Sequence, residues 1–152
     1  MACAMICPLW YLQMFEEHGD FKLCRINNVV VVKPYGDWNL PVVERLITES
    51  ELLFQTLKGT QWAALDMLND WGLGTPETDE IIKYMEVHAQ SFGLSHVAVL
   101  YKSEVQAFQL EEKIIHHPEV SRFQSRSVEE CISFLNTAGY DITIGDIESL
   151  NL

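Results

Sequence analysis

The stretch Trp62–Ile82, WAALDMLNDWGLGTPETDEII, decides the fold of this chain because its character changes twice. Its first six residues form a short apolar run with one aspartate, which is typical of a central strand buried on both faces. A loop containing Asp70 and Trp71 follows. The Thr-Pro-Glu sequence from Thr75 then predicts a helix start, since a hydroxyl cap, a proline and an early acidic residue all favour one.

Two strands and a helix are predicted upstream of this stretch. Asp20–Ile26 alternates with a period of two, and Val29–Lys33 is rich in β-branched residues, so both favour strands. The intervening pair Asn27-Asn28 predicts a tight hairpin turn, because asparagine tolerates positive φ. Apolar residues at helical spacing predict a helix that is capped by Asn39 and runs to Leu57.

Downstream, strands and helices continue to alternate. Val97–Tyr101 predicts another buried strand, and residues 120–124 predict a short one. Ser103 with Gln106, and Ser127 with Glu130, have the spacing of capping boxes, each of which begins a helix. The order is therefore β-β-α-β-α-β-α-β-α. It predicts a single α/β domain with a mixed, mostly parallel sheet and helices packed on it.

The two ends of the chain are apolar. Residues 1–13 lack the basic region of a secretory signal and are too short to span a bilayer. We interpret them as an extension of a domain over 14–140, either foreign to the native chain or an association segment. Residues 141–152 keep apolar spacing and are predicted to pack on the domain as a tail. Burial of both ends between two copies favours a symmetric homodimer.

Composition excludes several classes of partner and cofactor. Among 152 residues, 22 acidic and 10 basic side chains give a net charge of −12, which disfavours nucleic acid and membrane surfaces. The four cysteines lack zinc spacing and are predicted to be reduced, as in the cytoplasm. His116 and His117 would point about 100° apart on a helix, so they do not predict a metal site. The chain has no glycine-rich phosphate loop, and no cofactor is predicted.

The candidate site lies around the loop that follows the central strand. Asp66 and Asp70 are four residues apart at a bend, where carboxylates can converge for acid–base chemistry. No histidine, cysteine or serine accompanies them there, so an enzyme is the weakest interpretation. Trp71, Trp38 and Tyr35 lie near strand ends, which suits a small apolar ligand or a protein partner. Alternatively, Trp71 only plugs the edge of the sheet.

The element order and the segment Ala64–Met85 resemble the SpoIIAA-like group of STAS domains, the anti-sigma-factor antagonists and their relatives. In that family a strand ends in Leu-Asp-Leu, which Leu65-Asp66-Met67 matches. Asp70-Trp71 and the Thr-Pro-Glu sequence from Thr75 match members without the regulatory motif. The resemblance covers about Phe15–Tyr140 and implies a STAS-like fold and a non-catalytic, cytosolic binding or interaction module.

The chain departs from the regulatory branch of this family at the start of the second helix. The antagonists place a phosphorylatable serine there, typically in Asp-Ser-Ser/Ala-Gly, whereas Thr75 has the only hydroxyl near that place here. A phosphate is favoured at a helix N-terminus, but we predict that Thr75 is a cap and not a phosphosite. The resemblance then implies an interaction surface over Asp66–Thr75. A carrier of a small apolar ligand or lipid is the alternative, and an enzyme using Asp66 and Asp70 is a more distant one.

Overall fold

A computed structural model describes residues 16–113 and 117–152. The described residues form a six-stranded sheet with helices on both faces. The strands are β1 (Asp20–Ile26), β2 (Val29–Trp38), β3 (Trp62–Met67), β4 (Trp71–Gly74), β5 (Leu94–Leu100) and β6 (Ser121–Ser125); the helices are α1 (Leu40–Leu57), α2 (Pro76–Ser91), α3 (Glu104–Lys113), α4 (Val128–Thr137) and α5 (Ile144–Ser149).

The sheet has the mixed topology that the sequence predicts. Its main path is β1-β2-β3-β5-β6. Strands β1 and β2 form the antiparallel hairpin, and Asn27 in its turn has a φ of 51°. All other pairs are parallel, including β3 with β5. The predictions of an opening hairpin and of two parallel central strands are therefore confirmed.

The element order has two additions that the sequence analysis missed, β4 and α5. Strand β4 lies in the predicted loop and pairs in parallel with the end of β2, where Gly36 faces Trp71. Gly72 lies close to β2, where a Cβ would be 2.0 Å from Asp37 Oδ1. Gly74 lies close to the start of α2, where a Cβ would be 2.1 Å from Thr78 Oγ1.

Alternation along the strands divides the core between the two faces of the sheet. Val31 and Leu65 point toward α4 and α5, whereas Val30, Ala64 and Val97 point toward α1, α2 and α3. Both faces of the central strands are therefore buried, as their continuous apolar sequences predict. Within the described residues no helix is both long and apolar enough to cross a bilayer.

The C-terminal residues supply apolar groups to the core of their own chain. Ile142 is 0% exposed and Ile147 is 8% exposed, and Thr143 caps α5 through a complete capping box with Asp146. The argument that these residues need a second copy to cover them was therefore wrong. Residues 1–13, the other basis for the dimer, lie outside the described residues, as does His116.

Three predicted helix caps differ from expectation. Thr75 and Asn39 occupy N-cap positions, but neither side chain makes a capping hydrogen bond. Asn39 Oδ1 instead accepts from the backbone N–H of His18 at 3.0 Å. Ser127 Oγ accepts from Glu130 N at 3.3 Å, yet the Glu130 carboxylate accepts from the hydroxyl of Ser125, so only half of that capping box forms. Local competition for the side chains explains these differences.

Gln106 also forms only half of its predicted capping box. Its backbone N–H donates to Ser103 Oγ at 3.3 Å, but its side-chain Oε1 accepts from Lys102 N at 2.7 Å. Its Nε2 donates to the carbonyl oxygens of Leu68 at 2.7 Å and Trp71 at 3.3 Å. This buried amide therefore joins the start of α3 to the loop that the sequence analysis singled out.

Candidate functional site

An apolar cavity lies between α2, α3 and the sheet. Its volume is about 120 Å³. Most of its lining is hydrocarbon, contributed by α1, α2, α3 and the strands beneath them. The lining residues are Val32, Pro34, Trp38, Leu46, Asp66, Leu68, Trp71, Asp79, Ile82, Met85, Glu86, Val99, Leu110 and Arg122.

The packing of α2 explains the cavity. The buried residues of this helix are Thr78 near its start and Ala89 near its end. Between them, Ile82 and Met85 face the sheet side but stay only partly buried. The inward face of this helix is therefore incompletely covered, because the middle of α2 lies above open space.

Two tryptophans form the wall of the cavity at the end of β2. Trp38 is 4% exposed, and its Nε1 donates to the carbonyl of Asp20 at 3.1 Å. The Trp38 ring contacts the half-buried Trp71 edge to face, with 5.6 Å between the ring centroids. Trp71 Nε1 is buried, and none of the described residues accepts a hydrogen bond from it. Trp38 is thus a core residue that also forms part of the site.

The other end of the cavity is polar. Asp66 of β3 lies there with Arg122 of β6 and Glu86 of α2. Arg122 Nη2 and Glu86 Oε1 form an ion pair of 3.1 Å. Glu86 Oε2 and Arg122 Nε are buried without a hydrogen-bond partner among the described residues. The ion pair therefore leaves one acceptor and one donor unsatisfied at this end of the cavity.

Asp66 is the most perturbed acid of the site. Its pKa is raised to about 7, chiefly by burial and also by the nearby Glu86 carboxylate, while Arg122 lowers it. The residue keeps some exposed area because the cavity opens beside it, but desolvation by the surrounding protein dominates. None of the described residues donates a hydrogen bond to its carboxyl group, so only the charge of Arg122 counteracts that desolvation.

The structure separates the six residues of the predicted site into two groups. Asp66, Trp71 and Trp38 line the cavity. Asp70 is exposed and pairs with Lys33 at 3.4 Å, in a shallow depression outside the cavity. The carboxyl groups of Asp66 and Asp70 therefore do not share one cavity, because the 3-10 turn Leu68–Asp70 directs the second acid outward.

Tyr35 and Thr75 also lie outside the cavity lining. The ammonium group of Lys33 lies 5.3 Å from the centre of the half-buried Tyr35 ring. Thr75 is exposed, and its side chain contacts the Glu77 carboxylate. A hydrogen bond from the Glu77 backbone and this contact with Thr75 lower the pKa of Glu77. The hydroxyl of Thr75 is therefore accessible.

Sequence reasoning missed Glu86 and Arg122. A signal existed for Glu86, since residues 82, 85, 86 and 89 share one helical face and the other three are apolar. Arg122 gave no such signal, because alternation in β6 does not show which face is buried.

Among the described residues, no group of three histidine, cysteine, aspartate or glutamate side chains is placed to hold a metal.

The fold of this chain is similar to the folds of several proteins whose structures are solved. No protein-family model matches the chain. A search of curated proteins likewise finds no match. The similar proteins are solved structures.

A protein from Shewanella loihica, described as a DUF3478 family member with a SpoIIAA-like fold, is 11% identical with a TM-score of 0.63; the match covers 79% of this chain and 95% of that one. The phosphorylated form of the Bacillus cell fate determinant SpoIIAA is 16% identical with a TM-score of 0.52, covering 76% and 98%. An anti-sigma factor antagonist from Mycobacterium paratuberculosis is 9% identical with a TM-score of 0.52, covering 78% and 94%. The chain therefore has the SpoIIAA-like, STAS-type fold, as the sequence resemblance predicts.

Proposed function

We propose that this protein is a non-catalytic binding module of STAS type that holds a small, mostly apolar molecule in the cavity between α2, α3 and the sheet. The cavity itself supports this most strongly. Ligand pockets typically combine apolar walls with a few convergent polar groups. This cavity has two tryptophans in its wall and the Asp66 carboxyl at its end. Occupancy would cover Ile82 and Met85, which the fold alone leaves partly exposed.

The lining supports binding over catalysis. The residues that line the cavity include four charged side chains but no histidine, cysteine or serine. Glu86 and Arg122 neutralise each other, and the lining offers Asp66 no nucleophile. Asp70, the acid with which Asp66 was expected to converge, lies outside the cavity. The free thiols of Cys24 and Cys131 support a reducing, cytoplasmic compartment as part of the proposal.

A titration with N-phenyl-1-naphthylamine, an uncharged probe that fluoresces in apolar surroundings, tests this function. We expect saturable binding at one site. The substitution Met85→Trp would fill the cavity from α2 and weaken binding by about tenfold or more, equivalent to roughly 1.4 kcal/mol. Tyr84→Trp is the matched control, because Tyr84 lies next to Met85 on the same helix but is 67% exposed. Absence of saturable binding, or equal affinity in both variants, would exclude the cavity as the site.

A protein partner at the outer side of the Asp66–Thr75 loop is the second candidate. It is supported by the fold neighbours described as anti-sigma factor antagonists and by the shallow depression beside Asp70 and Gly72. Replacing Asp70 with arginine would disrupt such a contact and leave the cavity intact. A partner that co-purifies with the unmodified protein and not with Asp70→Arg would favour this candidate.

We also propose that the protein self-associates through residues 1–13. The apolar sequence of that segment supports this proposal, whereas the C-terminal residues Ile142 and Ile147 are buried within their own chain and do not.

A further inference from the structure

We propose that the molecule held in the cavity has a positively charged, hydrogen-bond-donating head group, such as a primary amine, which contacts the Asp66 carboxyl while its apolar body lies against the tryptophans. This inference rests on the proposed function and names the chemical class of the ligand. It is based on the arrangement of charged side chains at the polar end of the cavity.

The first observation is the isolation of Asp66 on its face of the sheet. In register, Asp66 lies between Val32 of β2 and Val99 of β5. Neither neighbour can donate a hydrogen bond from its side chain, and none of the described residues does so from elsewhere. A carboxyl group in this position, open to a cavity, offers its acceptor oxygens to whatever enters.

The second observation is the balance of charge around the cavity. Two carboxyl groups, Asp66 and Glu86, lie with one guanidinium group, Arg122, and that guanidinium is already paired with Glu86 at 3.1 Å. Asp79 also lines the cavity, but it has an interaction of its own. The residues of α1, α3, β2 and β5 in the lining are uncharged. The surplus is therefore negative, which repels carboxylate or phosphate heads and attracts a cation.

The third observation is the pair of unsatisfied atoms at the same end. Glu86 lines the cavity, and its Oε2 is a buried acceptor without a partner among the described residues, which suits a head group with several N–H donors. Arg122 Nε is an unsatisfied donor, but the charge of its guanidinium is already neutralised. A charge-assisted bond is roughly twice as strong as a neutral one, so an amine should bind more tightly than an alcohol of equal length.

The test compares decylamine, decanol and decanoate as competitors of N-phenyl-1-naphthylamine on the full chain. We expect decylamine to displace the probe at a concentration about tenfold lower than the other two. Asp66→Asn should abolish this preference. Asp70→Asn is the matched control: it removes one carboxylate that lies outside the cavity, and it should keep the preference for the amine.

The pH dependence supplies a second readout. The amine needs an ionised Asp66, and in the free protein this carboxyl takes up a proton as the pH falls through about 7. Decylamine should therefore bind about tenfold more weakly at about pH 6 than at about pH 8, whereas decanol should be unaffected. In Asp66→Asn, the preference for decylamine and its pH dependence should both disappear.

The possible failures are distinguishable. If the probe binds but the three competitors are equivalent, if decanoate is preferred, or if Asp66→Asn keeps the preference for the amine, the inference is overturned and the proposed function stands. If the unmodified protein binds neither the probe nor any competitor, both are overturned. Circular dichroism melts of each variant verify that the protein is folded.

Discussion

Asp66 lies between valines on a buried face of the sheet, where a carboxylate loses much of its hydration. The pKa of about 7 in the folded protein exceeds the ordinary value of 3.8. Between these two values the unfolded chain is ionised while the folded protein keeps its proton. The stability of the fold therefore decreases as the pH rises through this window, and the cost is complete above about pH 7.

Replacing Asp66 with asparagine should remove this cost. The variant should be more stable than the unmodified protein by roughly 2 kcal/mol at about pH 8, since a tenfold change in acid strength equals about 1.4 kcal/mol and water in the open cavity reduces the full effect. The gain should shrink steadily toward about pH 4. Urea unfolding of both proteins across this range measures it. A difference in stability that does not change with pH would show that Asp66 has an ordinary pKa.

The sequence singles out Asp66, but not its surroundings. An acid at the end of an apolar strand is visible by inspection, whereas its distance from Asp70 is not. The turn at Leu68–Asp70 and the pairing of β4 with β2 depend on contacts with distant residues such as Asp37. Glu86 and Arg122 are far apart in the sequence and meet only in the fold, which no local pattern encodes.

The N-cap residues of the helices differ in whether their side chains accept a hydrogen bond from the helix backbone. Ser127 accepts a hydrogen bond from the backbone of α4 at 3.3 Å, and Thr75 makes no such bond to α2. A side-chain cap typically contributes about 1 kcal/mol. Ser127→Ala should therefore lower the free energy of unfolding by about 1 kcal/mol, and Thr75→Ala by less than about 0.5 kcal/mol.

Chemical unfolding of both variants measures this difference, and a larger loss for Thr75→Ala than for Ser127→Ala would contradict it.

Thr75 is predicted not to be a phosphosite, although its side chain is exposed. Phosphothreonine at Thr75 in protein from its native host, detected by mass spectrometry, would overturn that prediction.

The elements themselves follow from the sequence to a large extent. Period-two alternation and the Asn27-Asn28 turn predict the hairpin, and the apolar runs at Trp62–Met67 and Val97–Tyr101 predict the central strands. The sequence from Thr75 predicts the start of the helix Pro76–Ser91, but it does not predict the open space beneath Met85. A periodic pattern indicates which face of a helix turns inward; it does not show how closely that face packs.

At the scale of the whole molecule, the unresolved question is self-association. We expect a symmetric dimer formed through residues 1–13, because the apolar sequence of this segment favours association and the opposing surface charge is largely screened beyond about 8 Å at physiological salt. Light scattering of the full chain and of a chain beginning at Met14 measures it. A monomer in both cases, or a dimer in both, would exclude residues 1–13 as the contact.

Methyl NMR during a titration with N-phenyl-1-naphthylamine measures whether a small apolar molecule binds between α2, α3 and the sheet. The methyl signals of Ile82, Val32 and Val99, which line the cavity, should shift together and saturate. Those of Ile132 and Ile142, buried on the opposite face of the sheet, should stay in place. Unchanged signals from the cavity, or shifts confined to the opposite face, would contradict the proposed function.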